Sequence, residues 1–151
     1  MRIVSVVITC VVLFNLLSFT CDGQSIRKEK IAGTWVCTKV SFLKDDALAD
    51  STTQEGLMIV TSTRDAFTHA SFTFGADSVF RLKFPPQVKN PVTQELSALN
   101  GKKWHWDAKS KMVDISPREN LMSIAMREFN GVTFFLLYET PIVLVMSKVD
   151  P

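Results

Sequence analysis

The sequence predicts an all-β fold, an antiparallel up-and-down β-barrel of about eight or nine strands. From Ile31 onward the chain consists of short β-rich runs separated by turn residues. Successive runs form hairpins in chain order, each with one bulky apolar face that a barrel or a sandwich would bury. The linear order of the hairpins favours the barrel. Only residues 91–99 have the pattern of a short helix.

The first 23 residues resemble a secretory signal peptide in their three-part design. Arg2 supplies a positive charge, residues 3–17 are mostly apolar, and residues 18–25 are small and polar. We therefore expect a signal peptide over residues 1–23, a barrel domain over residues 24–151, and export to the periplasm or the extracellular space. The alternative is a lipid attached at Cys21, which would anchor the chain at the outer membrane.

Charge and cysteine content argue against several classes of protein. The 17 Lys and Arg residues are scattered among 15 Asp and Glu residues, and the net charge is +2. This is not the basic surface that nucleic acid requires. Without the leader, Cys37 is the one remaining thiol, so an internal disulfide is not expected. A buried, small apolar side chain is the expected role of Cys37.

Residues 31–37 predict the first strand and the closure of one barrel end. Gly33 lets the backbone pass close under a large ring, and the Trp35 indole can close one end of a curled sheet. Residues 33–43 should form this strand, and the polar residues 44–56 should form a long loop at the barrel mouth.

The next two strands are expected over residues 57–61 and 67–74, followed by a hairpin with a three-residue loop, 76–78. A slip by one residue would mix phenylalanines with charged residues, so the pattern selects the register. The predicted pairs are Phe74 with Phe80, Phe72 with Leu82, Thr73 with Arg81, and Ser71 with Lys83. Pro85 and Pro86 end the strand because proline has no N–H for a ladder.

Two further hairpins and a last strand complete the sheet. A loop over residues 107–110 predicts the pairs Trp106 with Lys111, Trp104 with Val113, Lys102 with Ile115, and His105 with Met112. Asn130-Gly131 favours a type I′ turn. The pairs predicted beside that turn are Ile124 with Leu137, Met126 with Phe135, Ala125 with Leu136, and Arg127 with Phe134. The last strand is expected over residues 142–149.

Three motifs resemble bacterial lipocalin-like (calycin) proteins, especially the exported domains of Bacteroidetes type. They are Gly33-Thr34-Trp35 after a Lys-rich lead, Trp104-His105-Trp106-Asp107, and Met146-Ser147-Lys148-Val149. The resemblance covers about residues 26–149. It implies an antiparallel calyx whose floor combines Gly33, Trp35 and a cation over the indole, either Lys148 or, as the second choice, Arg127.

The chain also departs from that family. It ends soon after the last strand, without the long C-terminal helix and the disulfide found in many lipocalins. The outer face near Phe134, Leu136 and Tyr138 is then left without a cover. We therefore expect a covering loop or a homodimer contact there.

The inward-facing side chains predict a site for a small hydrophobic molecule, because an apolar cavity is the usual small-molecule site. The expected ligand-binding residues are Phe72, Phe74, Phe80, Leu82, Trp104, Trp106, Ile124, Met126 and Phe135. The alternative is a solid barrel interior and an interaction module that acts through surface loops or the apolar outer patch.

Motifs for catalysis are missing from the sequence. His69 and His105 lie on separate predicted strands without a partner at metal-ligand spacing. A Gly-x-Ser-x-Gly elbow and a Gly-rich phosphate loop do not occur. We expect a non-enzymatic protein without a metal or a cofactor, and a membrane as partner only if Cys21 is lipidated.

Overall fold

The computed structural model describes residues 24–43 and 53–149 of the chain. The predicted signal peptide lies outside the described residues, and so does most of the predicted mouth loop, residues 44–52. Within the described part, no helix is both long and apolar enough to cross a bilayer.

Nine β-strands form one antiparallel sheet. They are β1 (Gln24–Ser25), β2 (Gly33–Phe42), β3 (Ser71–Phe74), β4 (Phe80–Lys83), β5 (Trp104–Asp107), β6 (Met112–Ile115), β7 (Met122–Phe129), β8 (Val132–Leu137) and β9 (Ile142–Val149). The spatial order is β4-β3-β2-β9-β8-β7-β6-β5, and β1 pairs with β7. Strands β2 to β9 form a nearly closed up-and-down barrel, which confirms the predicted fold class.

Strands β4 and β5 meet at a short seam that brings the two ends of the sheet together. Val79 and Lys103 form an isolated antiparallel bridge, and the Phe80 N–H donates to the Lys102 carbonyl at 2.8 Å. Farther along, the Asn100 side chain takes the place of a strand. Its Oδ1 accepts from the Leu82 N–H at 2.7 Å, and its Nδ2 donates to the Leu82 carbonyl at 2.9 Å.

Helix α1 (Lys28–Ile31) precedes β2, α2 (Gln54–Phe67) connects β2 to β3, and α3 (Pro91–Leu96) lies between β4 and β5. A 3₁₀ turn, Ser97–Leu99, follows α3. The helix predicted over residues 91–99 is therefore present. It begins with a capping box in which Asn90 and Thr93 each accept a backbone N–H of the other.

Helix α2 shows that the strand predicted over residues 57–61 was wrong. The helix begins where Thr53 Oγ1 accepts the Gly56 N–H at 3.0 Å. Its buried residues include Gly56, Thr63 and Phe67, which share one helical face. The predicted loop over residues 44–56 therefore ends in the first turn of α2. The predicted third strand, 67–74, begins only at Ser71.

The predicted registers are confirmed for the β3–β4 and β7–β8 hairpins. The β5–β6 register was wrong by two residues, because Trp104 pairs with Ile115, Trp106 with Val113, and His105 with Asp114. The cause is the Asp107 carboxylate, which accepts the Lys109 N–H at 2.9 Å and the Ser110 hydroxyl at 2.6 Å. This local turn moves the loop beyond Asp107. A two-residue shift keeps each side chain on its predicted face.

The direction of the strands defines two ends of the barrel. At the floor end β2 begins, β9 ends and the Asn130-Gly131 turn joins β7 to β8. Both turn residues have positive φ, +50° and +74°, as a type I′ turn requires. At the mouth end β2 ends and β9 begins, and α2 and α3 lie in the connections there.

Candidate functional site

The floor of the barrel is closed by Trp35, which is buried. Its Nε1 donates to the Ile31 carbonyl of α1 at 2.9 Å, so the helix holds the indole in place. Lys148 Nζ lies 5.3 Å from the centroid of the Trp35 ring and donates to the Lys30 carbonyl at 2.8 Å. The cation expected over the indole is thus Lys148.

Gly33 is required by the geometry of this floor. Its φ of +123° is a conformation that residues with a side chain rarely adopt. A Cβ placed on Gly33 would lie 2.9 Å from Lys148 Cε. The glycine therefore leaves the space that the lysine stem uses to cross the indole.

Four phenylalanine rings fill the interior above the floor. The Phe135 centroid lies 5.4 Å from Trp35, 5.9 Å from Phe72 and 6.0 Å from Phe74. Phe80 completes the set, 5.3 Å from Phe74 and 6.0 Å from Phe72. All four phenylalanine side chains are fully buried. Ring pairs at these separations and tilts are stabilising beyond the burial of their area.

The residues predicted to bind a ligand lie together in one interior cluster. Trp104 and Trp106 are half-buried against it, whereas the other seven are buried. Trp104 Nε1 donates to the Gly75 carbonyl at 3.0 Å, which fixes this indole at the β3–β4 turn. The structure therefore brings the predicted residues to one place, while their role in binding a ligand stays a prediction.

Phe67 is an interior residue, although the sequence predicted it as the first residue of a strand. It comes from the last turn of α2 and stacks on Phe72 with centroids 6.0 Å apart. The Phe84 ring is tilted against it, with centroids 6.3 Å apart. The spacing of Gly56, Val60, Thr63 and Phe67 is helical and could have identified this face. Helix α2 thus contributes a fully buried ring to the barrel interior.

The barrel strands contribute mainly aliphatic side chains to the upper half of the interior. Its buried side chains toward the mouth end are Val40, Ile124, Leu137 and Leu144. Val40 is opposite Leu144, and Ile124 is opposite Leu137. Phe42 and Ile142 face each other at the rim and are partly buried. The rings therefore concentrate around Trp35, and aliphatic side chains follow toward the mouth, where α2 adds the ring of Phe67.

The titratable residues singled out in the sequence lie apart from one another. Both histidines are exposed: His69 follows α2, and His105 is in β5. Cys37 is buried in β2, and burial raises the pKa of its thiol to about 11. Residues 24–43 and 53–149 contain no group of three or more His, Cys, Asp or Glu residues placed to hold a metal ion.

These features define an all-antiparallel, nearly closed eight-stranded barrel with an apolar interior and an indole at its floor. This architecture is compatible with a lipocalin-like fold. No family model matches the chain, and no curated protein or solved structure matches it either.

Proposed function

We propose that this chain is a non-enzymatic, exported lipocalin-like protein that binds or sequesters a small hydrophobic ligand inside the barrel. The supporting observation is the barrel interior, where apolar side chains from the strands and from α2 form one buried cluster. An alkyl ligand in such a place would gain about 0.8 kcal/mol for each CH₂ removed from water.

The two halves of the barrel suggest where such a ligand would lie. Rings already occupy the floor half. Because these rings contact one another, a ligand would have to displace them to enter there. The mouth half is lined by Val40, Ile124, Leu137 and Leu144, next to the ring of Phe67. We place the ligand in the mouth half, against the aliphatic wall, where the Phe67 ring competes with it for space.

A titration of oleate against tryptophan fluorescence tests the proposal, because Trp104 and Trp106 pack against the interior cluster. A spectral shift is expected at micromolar ligand. Phe67→Ala removes a ring from the mouth half and should tighten binding, provided that the variant stays folded by circular dichroism. Leu136→Ala, on the outer face of β8, is the control and should leave the affinity unchanged.

Failure of both the unaltered chain and Phe67→Ala to respond to oleate and to other apolar ligands would refute the proposal. A response that Leu136→Ala abolishes would place the ligand on the outer face instead. Either result would separate interior binding from a surface effect.

The alternative function is an interaction module with a solid interior. Two observations favour it: the packed floor half, and the apolar outer face of β8 and β9. Phe134 lies beside Val145 and Leu136 beside Val143, and these four side chains are only half-buried. Static light scattering tests the homodimer that this alternative expects. If this face forms the dimer contact, Phe134→Lys should convert the dimer to a monomer. A monomer at all concentrations would contradict the homodimer.

Export is also part of the proposal, and it has a separate test. Expression of the full chain in a bacterial host, followed by mass measurement of the N-terminus, distinguishes the possibilities. Cleavage after Gly23 would support soluble export, and a diacylglycerol-modified Cys21 would support a lipid anchor. An intact Met1 on cytoplasmic protein would contradict both.

A further inference from the structure

The floor end of the barrel carries exposed apolar side chains at its outermost points. Phe129 and Val132 face each other on the two sides of the Asn130-Gly131 turn and are 45% and 39% exposed. Val149, at the end of β9, is 47% exposed. The type I′ turn holds the first two side chains side by side. A rigid apolar tip therefore projects into solvent at this end.

Positive side chains lie at the same end of the barrel as this tip. Helix α1 leads from β1, which pairs with β7, to the start of β2, so it crosses the floor end. Arg27, Lys28 and Lys30 are exposed on it or beside it. Neither of the two salt bridges in the described part of the chain involves them. Glu29 and Glu128 are the carboxylates next to these cations. Asp77 and Asp107 also lie at this end, in the β3–β4 and β5–β6 turns, and Asp77 is paired with Arg81. Beside the tip, Arg27, Lys28 and Lys30 therefore outnumber the carboxylates.

The N-terminal leader joins the chain at the same place. Gln24 pairs with Glu128, the residue before Phe129. The apolar residues 3–17 and Cys21 are therefore connected to the barrel beside the apolar tip. Any attachment of the chain to a membrane through these residues would bring the floor end to the lipid surface.

We propose that the floor end docks on an anionic lipid surface. Phe129 and Val132 enter the headgroup region, and Arg27, Lys28 and Lys30 contact the lipid phosphates. Apolar side chains and cations at one end of the barrel match the two properties of such a surface, an apolar interior below a negative boundary. A second copy of the chain fits this end less well, because the same cations would face one another. Docking leaves the mouth end and α2 turned away from the membrane.

Vesicle flotation tests this docking with a chain that starts at Gln24, so that the leader does not contribute. The barrel's strand pairs and its described core cluster lie between Gln24 and Val149, so this chain keeps the whole described fold. Circular dichroism checks that it does. The vesicles are phosphatidylcholine alone, or the same lipid with about a third replaced by phosphatidylglycerol. Binding is expected to the anionic vesicles, and added salt should weaken it.

Two pairs of variants locate the surface. Lys28→Gln with Lys30→Gln should weaken binding about 25-fold, since each cation near an anionic surface contributes about a factor of five. Lys28→Arg with Lys30→Arg keeps both positive charges and should retain binding. Phe129→Ser with Val132→Ser should weaken binding about tenfold or more through lost apolar burial.

The mouth end offers matched controls. Leu57→Ser with Ile59→Ser removes two side chains that are 53% and 57% exposed on α2. Lys89→Gln with Arg118→Gln removes two exposed positive charges from the mouth-end connections. Both control pairs should leave binding unchanged.

Three results would overturn the docking proposal. The first is an absence of binding to either vesicle composition. The second is a loss of binding in the mouth-end variants and not in the floor-end ones. The third is a stable dimer in light scattering that Phe129→Ser and Val132→Ser dissociate, since the tip would then be a contact between copies. None of these results depends on whether the barrel holds a ligand, so this proposal and ligand binding fail separately.

Discussion

Replacing Gly33 with alanine should destabilise the barrel by about 2–3 kcal/mol. Part of the loss is backbone strain, because a residue with a side chain pays about 1–3 kcal/mol in a sparsely populated positive-φ region such as the +123° of Gly33. The other part comes from Lys148. The new Cβ would lie 2.9 Å from its Cε and would push the ammonium off the indole, which forfeits about 0.5–1 kcal/mol of cation–π attraction.

Gly131→Ala is the matched control for this strain. Gly131 also has positive φ, +74°, but a Cβ there would meet nothing within 4 Å. Its expected cost is about 1–2 kcal/mol of backbone strain alone. Both substitutions reduce the entropy of the unfolded chain in the same way, so that effect cancels in the comparison.

Urea unfolding followed by tryptophan fluorescence measures both variants. Lys148→Ala supplies the second test, because Gly33→Ala in that background should cost about 1 kcal/mol less than in the unaltered chain. Equal costs for Gly33→Ala and Gly131→Ala, together with an absence of coupling to Lys148, would refute the account of the floor.

Two further predictions concern the seam and the buried thiol. Asn100→Ala should lower the free energy of unfolding by about 1–3 kcal/mol, since it leaves both backbone groups of Leu82 without the Asn100 partner. It should also speed hydrogen exchange at the Leu82 amide, and unchanged exchange there would count against this role. For Cys37, the folded pKa of about 11 exceeds the ordinary 9.0, so the unfolded chain loses its proton first as pH rises. Stability should therefore fall between pH 9.0 and about 11, by at most about 1.4 kcal/mol per pH unit, and Cys37→Ala should remove this slope. An equal slope in both proteins would contradict it.

The parts of the fold that follow from alternation of apolar and polar residues could be predicted from the sequence. In the β3–β4 hairpin, a one-residue slip would bury Arg81 and Lys83 in place of phenylalanines, so only one register was acceptable. In the β5–β6 hairpin, the alternation of apolar and polar residues did not select a single register. A slip of two residues keeps Trp104 and Trp106 on the same face, and the hydrogen bonds of Asp107 favour the observed register.

Helix α2 could not be assigned from its apolar residues alone. Leu57, Met58 and Ile59 are consecutive apolar residues, a pattern that predicts a short buried strand. In the helix all three are exposed. The buried face depends on small or polar residues, Gly56 and Thr63, which carry little hydrophobic signal. For the same reason the contribution of Phe67 to the interior was missed, although the other interior residues followed from the strands.

The two ends of the barrel are closed by different kinds of interaction. Directional contacts fix the floor, because Trp35 donates to Ile31 and Lys148 is held by both the indole and the Lys30 carbonyl. At the mouth end, Phe67 is held in the barrel by contacts between apolar rings, which have no single preferred geometry. Apolar contacts can be replaced by an apolar ligand, whereas the hydrogen bond of the indole cannot. A ligand that enters this interior should therefore do so beside α2, the end that floor-end docking on a membrane leaves open to solvent.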